Sequence, residues 1–404
     1  MTKESLKESI EKHFGRIPDK RVVTRSSHKL VDIIAIAILG ILCGADGWVG
    51  IETTCGQVLY GKAKEEWLKT FLELPNGIPS HDTFGRVFSE LDPEILEQNF
   101  QAWIKVIAKG LGLEVVAIDR KNIKGSYDRE SHIKSLTMVS AWSSSHRLVL
   151  GQVAVKQKSN EITAIPLLLE QLDLKSGIIT IDAMGTQTAI ARQIQDFGAD
   201  YILTLKANHP TLAQDAKNWF ERYQREEEKA FAHTTECICE AGHHRIEQRC
   251  FISVPAKQVF DSSQLKQWAG LQTLIVEQSS RQLWNKTTHS TRFFLSSLAA
   301  DFAHFPNSIR SHWGVENQLH WCLDVIFSED DSRIRKDHAP RNMTILRRLA
   351  LNLLRQDNTS SGSLKMNERG AGVSPAYPIE LLKRYQAGLN NNFLLRILSN
   401  SGIF

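Results

Sequence analysis

Three acids far apart in the chain, Asp119, Asp182 and Glu316, are of a type and setting that could hold hard cations. Leu113 to Asp119 (LEVVAID) and Gly177 to Asp182 (GIITID) are short β-branched runs that end on an aspartate and are followed by small or turn-forming residues. Both carboxylates are expected at the carboxyl ends of strands, where open α/β sheets carry their chemistry. Glu316 lies within Ser311 to Asp324 (SHWGVENQLHWCLD). Read as one helix at about 100° per residue, within a span 307 to 326, this stretch gathers Val315, Leu319, Cys322 and Ile326 into an apolar stripe. His312, Glu316, His320 and Asp324 then line up beside that stripe at four-residue steps. A carboxylate at the edge of a buried face loses hydration, and a largely neutral His312 offers it no cation, so a metal or a partner must supply one. Two strand-end aspartates and one helix glutamate form an oxygen set for divalent ions, which in pairs clamp the attacking and leaving oxygens of a phosphodiester. His320, one turn past Glu316, reads either as a donor that orients it or as an ordinary helix histidine. Asp324 reads as structural.

The elements that must position these acids follow from the period of the sequence. Residues 1–110 read as a helical domain, with helical spacing over Leu30 to Leu42, Ala63 to Leu72 and Ile95 to Leu111. Within it, Ser80 makes a helix N-cap that presents His81, Thr83 and Arg86 on the first turns, facing a DNA backbone or solvent, while Phe84, Val87 and Phe88 turn inward. From 111 the period becomes strand-like. Strands at Leu136 to Ala141 and Leu148 to Val155, a helix at Ile162 to Leu172, the Asp182 strand, a helix at Thr186 to Phe197 and a strand at Tyr201 to Leu205 follow in order. The fold class expected is α/β, a ribonuclease H-like mixed sheet core over 111–355 with its first three strands antiparallel. Residues 206–300 read as a strand-rich insertion, with strands at Thr234 to Cys239, Arg245 to Val254, Thr273 to Gln278 and Thr287 to Ser296. Residues 356–404 read as a Ser/Gly/Asn-rich mobile tail closed by a short helix, Phe393 to Leu398.

The chain has 404 residues, 42% of them hydrophobic, and a net charge of +4. Such a mild positive balance suits a nucleic-acid enzyme with an acidic centre but singles out no class. The polar start after Met1 argues against a secretory signal, and the apolar run Ile33 to Cys43 is too short to span a bilayer, so the expected location is the cytoplasm. There the six cysteines are expected as reduced thiols. Cys237, Cys239, His243, His244 and Cys250 are poorly spaced for tetrahedral zinc. His243, Arg245 and Arg249 alternate on one strand face and are expected at phosphates, unless that face is simply solvated. The basic run that includes Arg333, Arg335, Lys336, Arg341, Arg347, Arg348 and Arg355 could neutralise several phosphates or form a solvated helix surface. Lys121, Lys124 and Lys206, beside the predicted rim, are the stronger candidates for backbone contact.

Taken together, Ala117-Ile118-Asp119, Thr180-Ile181-Asp182-Ala183-Met184-Gly185 and His312 to Trp321 closely resemble the DDE transposases of bacterial insertion sequences, in the subgroup of H-repeat-associated proteins. The likeness runs over roughly residues 10–355 and includes Gly77 to Phe88 and Lys158 to Pro166. It implies a transposase in which Asp119, Asp182 and Glu316 bind two Mg²⁺ ions, with Mn²⁺ as substitute. It also implies nicking at transposon ends, attack of the freed 3′-hydroxyl on target DNA, and a dimer on paired ends. The resemblance puts a basic residue four positions before the Glu, where this chain has His312. It further implies an aromatic of the insertion stacking on a displaced base, with Trp268 and Trp284 as candidates by location. One departure stands out: the family usually reads Ile-Asp-Gly-Lys where this chain has Ile118-Asp119-Arg120-Lys121. Arg120 either points outward to DNA or pairs with an acid and weakens metal binding. The alternatives to an active transposase are a copy that binds DNA ends without cutting, which Arg120 favours, and a structure-specific nuclease on the same core.

Overall fold

Leu30–Leu42 is hydrophobic on every side, and a helix of that kind must be enclosed. In the computed structural model it is helix α1, with every residue except Val31 buried. The structure describes residues 11–12, 14–21, 26–56, 65–66, 68–108, 115–128, 134–156, 160–225, 233–242 and 245–355; the terminal helix and the tail expected beyond 355 lie outside them. The N-terminal region also holds α2 (Trp48–Gly56), α3 (His81–Glu90) and α4 (Pro93–Ala108). The Ser80 hydroxyl caps α3 by accepting from Thr83 N at 3.4 Å. Phe84, Val87 and Phe88 are buried as their spacing predicts.

The chain then builds strands β1 (Val115–Ile123), β2 (Leu136–Ser143) and β3 (Leu148–Ala154). Helix α5 (Glu161–Leu169), strand β4 (Ile178–Ile181), helix α6 (Thr188–Asp196) and strand β5 (Asp200–Leu205) follow. β2 pairs antiparallel with both β1 and β3, while β1, β4 and β5 run parallel, giving the order β3-β2-β1-β4-β5. This is the ribonuclease H-like arrangement.

After helix α7 (Pro210–Gln224) come strands β6 (His233–Gly242) and β7 (Arg245–Pro255), the short helix α8 (Ser262–Gln267), then β8 (Thr273–Leu283) and β9 (Lys286–Ser296). The strand-rich insertion does not stand apart from the core. β9 pairs antiparallel with β5, so the sheet continues as β9-β8-β7-β6 to nine strands.

The region near Glu316 departs from the single helix expected. It divides into α9 (Phe305–His312), a π-helical segment at Val315–His320 and α10 (Trp321–Val325). A π turn carries an extra residue per turn, so the four-residue alignment of His312, Glu316, His320 and Asp324 is lost. Val315, Leu319 and Cys322 keep their inward face, but Glu316 is exposed and not at a buried edge.

The basic run after residue 332 behaves least like its sequence. Ala339–Arg355 forms helix α11, which packs on α1, α3, α4 and β3 as a central pillar. Asn342 Nδ2 donates to Phe88 O and Leu91 O, each at 2.8 Å, and Asn352 brackets Val149, accepting from its N–H and donating to its carbonyl. Arg348 is fully buried against Glu329 at 2.7 Å, and Arg347, also buried, donates to Asp46 O. These two arginines are internal polar ties, not phosphate contacts. Among the described residues no helix is long and apolar enough to cross a membrane.

Candidate active site

Asp119 and Asp182 follow register partners on neighbouring parallel strands, since the β1–β4 pairing runs from Val115↔Ile178 to Ile118↔Ile181. The two carboxylates thus leave the sheet side by side where that pairing stops. β1 itself does not end there, because its antiparallel pairing with β2 continues through Asp119↔Ser140 to Ile123↔Leu136. Asp119 is a residue within a strand whose parallel partner has ended. Asp182 opens a tight turn in which Gly185 N donates to its Oδ1 at 3.3 Å. A Cβ on Gly185 would collide with Ile181 Cγ2 and stand 2.7 Å from Ile165 Cδ1, so the turn after Asp182 lies directly on α5.

Glu316 is carried on the π segment, which is anchored at several points. Ser144 Oγ donates to Ser311 O at 2.7 Å just before it, and Arg355, the last residue of α11, donates to Gln318 O at 2.7 Å. The same guanidinium lies 5.5 Å from the centre of the Trp142 ring. π turns of this kind are often found at functional sites.

The acids are coupled through their charges. Burial, helped by the like charges of Asp182, Glu316 and Glu161, pushes the Asp119 carboxyl up to about 7, against a backbone hydrogen bond from Arg120. Burial holds His312 down to about 4, and its Nδ1 shares a 3.0 Å hydrogen bond with Thr180 Oγ1. Burial, with Arg348 and Lys121 nearby, lowers His320 to about 3. Both imidazoles are thus held toward the neutral form at pH 7, His312 at the place where the resemblance puts a basic residue. The 3.6 Å approach of His320 Nδ1 to Asp119 Oδ2 is a contact of a neutral ring, not an ion pair. His320, read either as a donor to Glu316 or as an ordinary helix histidine, lies beside Asp119. Among the described residues no group of three or more His, Cys, Asp or Glu side chains already stands in a metal-ligating arrangement. The site is a carboxylate cluster at electrostatic range with the hard-oxygen chemistry of a divalent-cation site.

Several residues expected at DNA turn out to have other work. Lys121 is 7% exposed and lies between Asp324 Oδ1 at 2.6 Å and Asp330 Oδ1 at 3.1 Å, which removes it from any substrate. Arg120 pairs with an acid, its Nε 3.0 Å from Glu161 Oε2. Arg245 and Arg249 face Glu247 on their own strand, and Arg249 also reaches Glu240 at 3.1 Å; Arg281, Arg292 and Arg310 share the same glutamates and Glu277, so these arginines are tied within the sheet face although cations outnumber acids there. His243 lies outside the described residues. Arg335 donates to Gly125 O at 3.1 Å, and Arg341 to Glu94. Lys206 is exposed just past the end of β5, and Lys124 is exposed beside Asp330. Trp268 is buried against His209, whereas Trp284 is fully exposed at the β8–β9 turn. The cysteines differ too: Cys237 and Cys250 are register partners on β6 and β7 and form a disulfide, which contradicts the expected free thiols and removes both from any zinc site.

His81, Arg86, Arg333 and Lys336, drawn from two distant stretches, line one cleft of about 520 Å³ together with Trp48 and Asp331. That cleft holds none of Asp119, Asp182 and Glu316. His81 Nδ1 is engaged by Glu52 Oε2 at 2.6 Å, and Thr83 by the Ser80 cap.

The residue the sequence did not single out is Glu161. It opens α5 directly after Asn160, and its side chain is only 3% exposed with neither oxygen hydrogen-bonded among the described residues. A carboxylate in the first turn of a helix is so ordinary a sequence feature that nothing marked this one as enclosed.

A ribonuclease H-like sheet with carboxylates gathered where its parallel strands end defines the structural class. Family comparisons make it specific: the transposase DDE domain matches residues 110–353, and the DDE_Tnp_1-associated domain matches residues 11–104. The chain belongs to the DDE transposase family. It is 37% identical over 378 residues to YncI of Escherichia coli O157:H7, to which a transposase role is ascribed, covering 93% of this chain and 94% of that protein. To the H repeat-associated YhhI of E. coli K12, likewise ascribed a transposase role, it is 34% identical over 98% of this chain and 99% of the other. A structure of piggyBac transposase in a synaptic complex with hairpin DNA covers 96% of this chain and 82% of its own at 12% identity and a TM-score of 0.40. At that level the likeness says nothing about the site.

Proposed function

We propose that the chain is a divalent-metal-dependent DNA transposase that cuts at transposon ends and joins the freed 3′-hydroxyl to target DNA, with Asp119, Asp182 and Glu316 as the metal-holding acids. The observation that carries this reading is the adjacency of Asp119 and Asp182 at the end of the β1–β4 pairing, with Glu316 near enough for its charge to raise Asp119. Mg²⁺, or Mn²⁺ in its place, would supply charge neutralisation and alignment of the attacking and leaving oxygens. The protein's own contribution is positioning. Parallel pairing fixes the two aspartates, Arg355 and Ser144 hold the Glu316 segment, and neutral His312 and His320 fill the space beside the acids without competing as cations. Double-stranded DNA would be met by the exposed cations Lys206, Lys124, Arg86 and Arg333, with the N-terminal helical domain presenting Arg86. Trp284 is available to stack on an unpaired base. Two copies on paired ends would complete the reaction.

A second reading, a copy that binds ends without cutting, draws on the Arg120 guanidinium held among the acids. A supercoiled plasmid carrying the element's inverted repeats separates them. Mg²⁺-dependent nicks that vanish in Asp182→Ala support the enzyme, whereas end-specific gel shifts with no nicking in the wild-type protein support the binder. Cleavage that ignores the end sequence would point to a structure-specific nuclease.

A further inference from the structure

The charge lattice around the three acids leaves one group unexplained. Glu161 is 3% exposed, and among the described residues neither of its oxygens accepts a hydrogen bond. A buried carboxylate in that state is costly unless something comes to it. Its close cation is Arg120, with Nε at 3.0 Å, and that N–H is not directed at the oxygen. Arg120 itself is 55% exposed on its side-chain surface, so it lies at the mouth of the site and could leave without unfolding anything.

Two features fix where Glu161 sits. Arg120 directly follows Asp119 in β1. The turn after Asp182 rests on α5 through Gly185 against Ile165, one helical turn beyond Glu161. Glu161 is thus bracketed by the segments that carry both aspartates.

We propose that Glu161 is a fourth carboxylate of the cation site and that Arg120 is the internal cation it gives up when a divalent ion enters. This rests on the metal-site reading above. A hard divalent ion offers Glu161 the oxygen-directed partner that Arg120 does not, and entry of the ion frees a guanidinium at the rim, where a DNA phosphate is its natural acceptor. Arg120 therefore competes with the metal in the free protein.

Calorimetric titration of Mn²⁺ into the full chain, with melting temperatures taken in chelator, tests the assignment. Glu161→Gln is expected to weaken Mn²⁺ binding by about tenfold, the lower end of what supporting groups at metal sites contribute. Arg120→Ala is expected to tighten it by a similar factor and to lower the melting temperature without metal. In the Glu161→Gln background Arg120→Ala should have no further effect on affinity. A purely structural ion pair predicts wild-type Mn²⁺ affinity in both single variants, and that result overturns the proposal. Should Glu161→Gln fail to fold, unchanged affinity in Arg120→Ala overturns it alone. Asp182→Ala tells the two readings apart. If it loses Mn²⁺ while Glu161→Gln keeps it, only the fourth acid is wrong; if it binds Mn²⁺ like the wild type, or the wild type binds none, the metal site itself falls.

Discussion

At the scale of single residues the site is governed by dehydration of like charges. Asp119 carries its proton to about pH 7 in the native state, against an ordinary value of 3.8. Between those values the folded protein binds more protons than the unfolded chain, so stability falls as pH rises through this window and the loss is complete above about 7. Asp119→Asn, measured in chelator by urea unfolding at pH 4 and pH 8, should match the wild type at pH 4. At pH 8 it should be more stable by roughly 2–4 kcal/mol, the size of a shift of about three units. Gly185 is a steric matter: a methyl group there meets Ile181 and Ile165. Gly185→Ala should destabilise by ~1–3 kcal/mol, as overpacking does, and displace the Asp182 turn from α5, so its melting temperature and its nicking rate should both fall.

At the scale of elements, the pillar α11 decides how the site is held. Its Arg348 and the Glu329 that follows the π segment are both 0% exposed and 2.7 Å apart, and among the described residues Glu329 Oε2 with Arg348 Nε and Nη2 have no other hydrogen bond. Breaking such a pair leaves a buried charge alone, so Glu329→Ala should cost ~3–5 kcal/mol in denaturant unfolding. Replacing both by apolar residues, Glu329→Leu with Arg348→Met, should cost much less. Equal costs would show that the pair is not acting as a buried couple. The α4–β3 contact makes a similar point about pH. Glu97 is buried, burial pushes its carboxyl up to about 7, and Gln152 Nε2 donates to it at 3.0 Å. Because its folded value is raised, it favours the native state at low pH and opposes it above about 7. Glu97→Gln should therefore flatten the loss of melting temperature between pH 5 and pH 8.

At the scale of the whole molecule, the question is which cations remain available to a polyanion. Arg347, Arg348 and Lys121 are interior, and Arg245 and Arg249 are held in ion pairs with Glu247. The cleft carrying Arg86, Arg333 and Lys336 is also lined by Asp46, Asp82 and Asp331, but its three cations are exposed and, among the described residues, none of them is ion-paired. Arg86→Ala and Arg333→Ala should each weaken DNA binding about equally across sequences and lower the slope of log affinity against log salt by about one. Arg245→Ala should leave that slope unchanged. Gel shifts over a salt series check this, and equal slopes in all three variants would discard the cleft as a DNA contact.

Much of this protein was legible in one dimension. The strand run leading to Asp182, the apolar α1 and the Ser80 cap are short-range matters of period and local hydrogen bonding, and each appears in the structure where the spacing put it; the run at Asp119 is a strand too, but it continues past that residue to Ile123. The order of strands and helices likewise follows from the alternation of periods. What the chain in order did not disclose depends on partners far away in sequence. Lys121 and Arg348 read as solvent-facing cations because nothing nearby opposes them; Asp324, Asp330 and Glu329 meet them only when the sheet and α11 pack together. Glu316 was expected on a regular helix, but the π turn, pinned by Arg355 and Ser144, sets its direction instead. Glu161 looked like any acid that starts a helix, and its enclosure, with Arg120 as its ion-pair partner, exists only in the folded chain. Local sequence fixes period and capping because those energies act within a turn or two. Dehydration and charge pairing act across space, and only the folded chain assigns them.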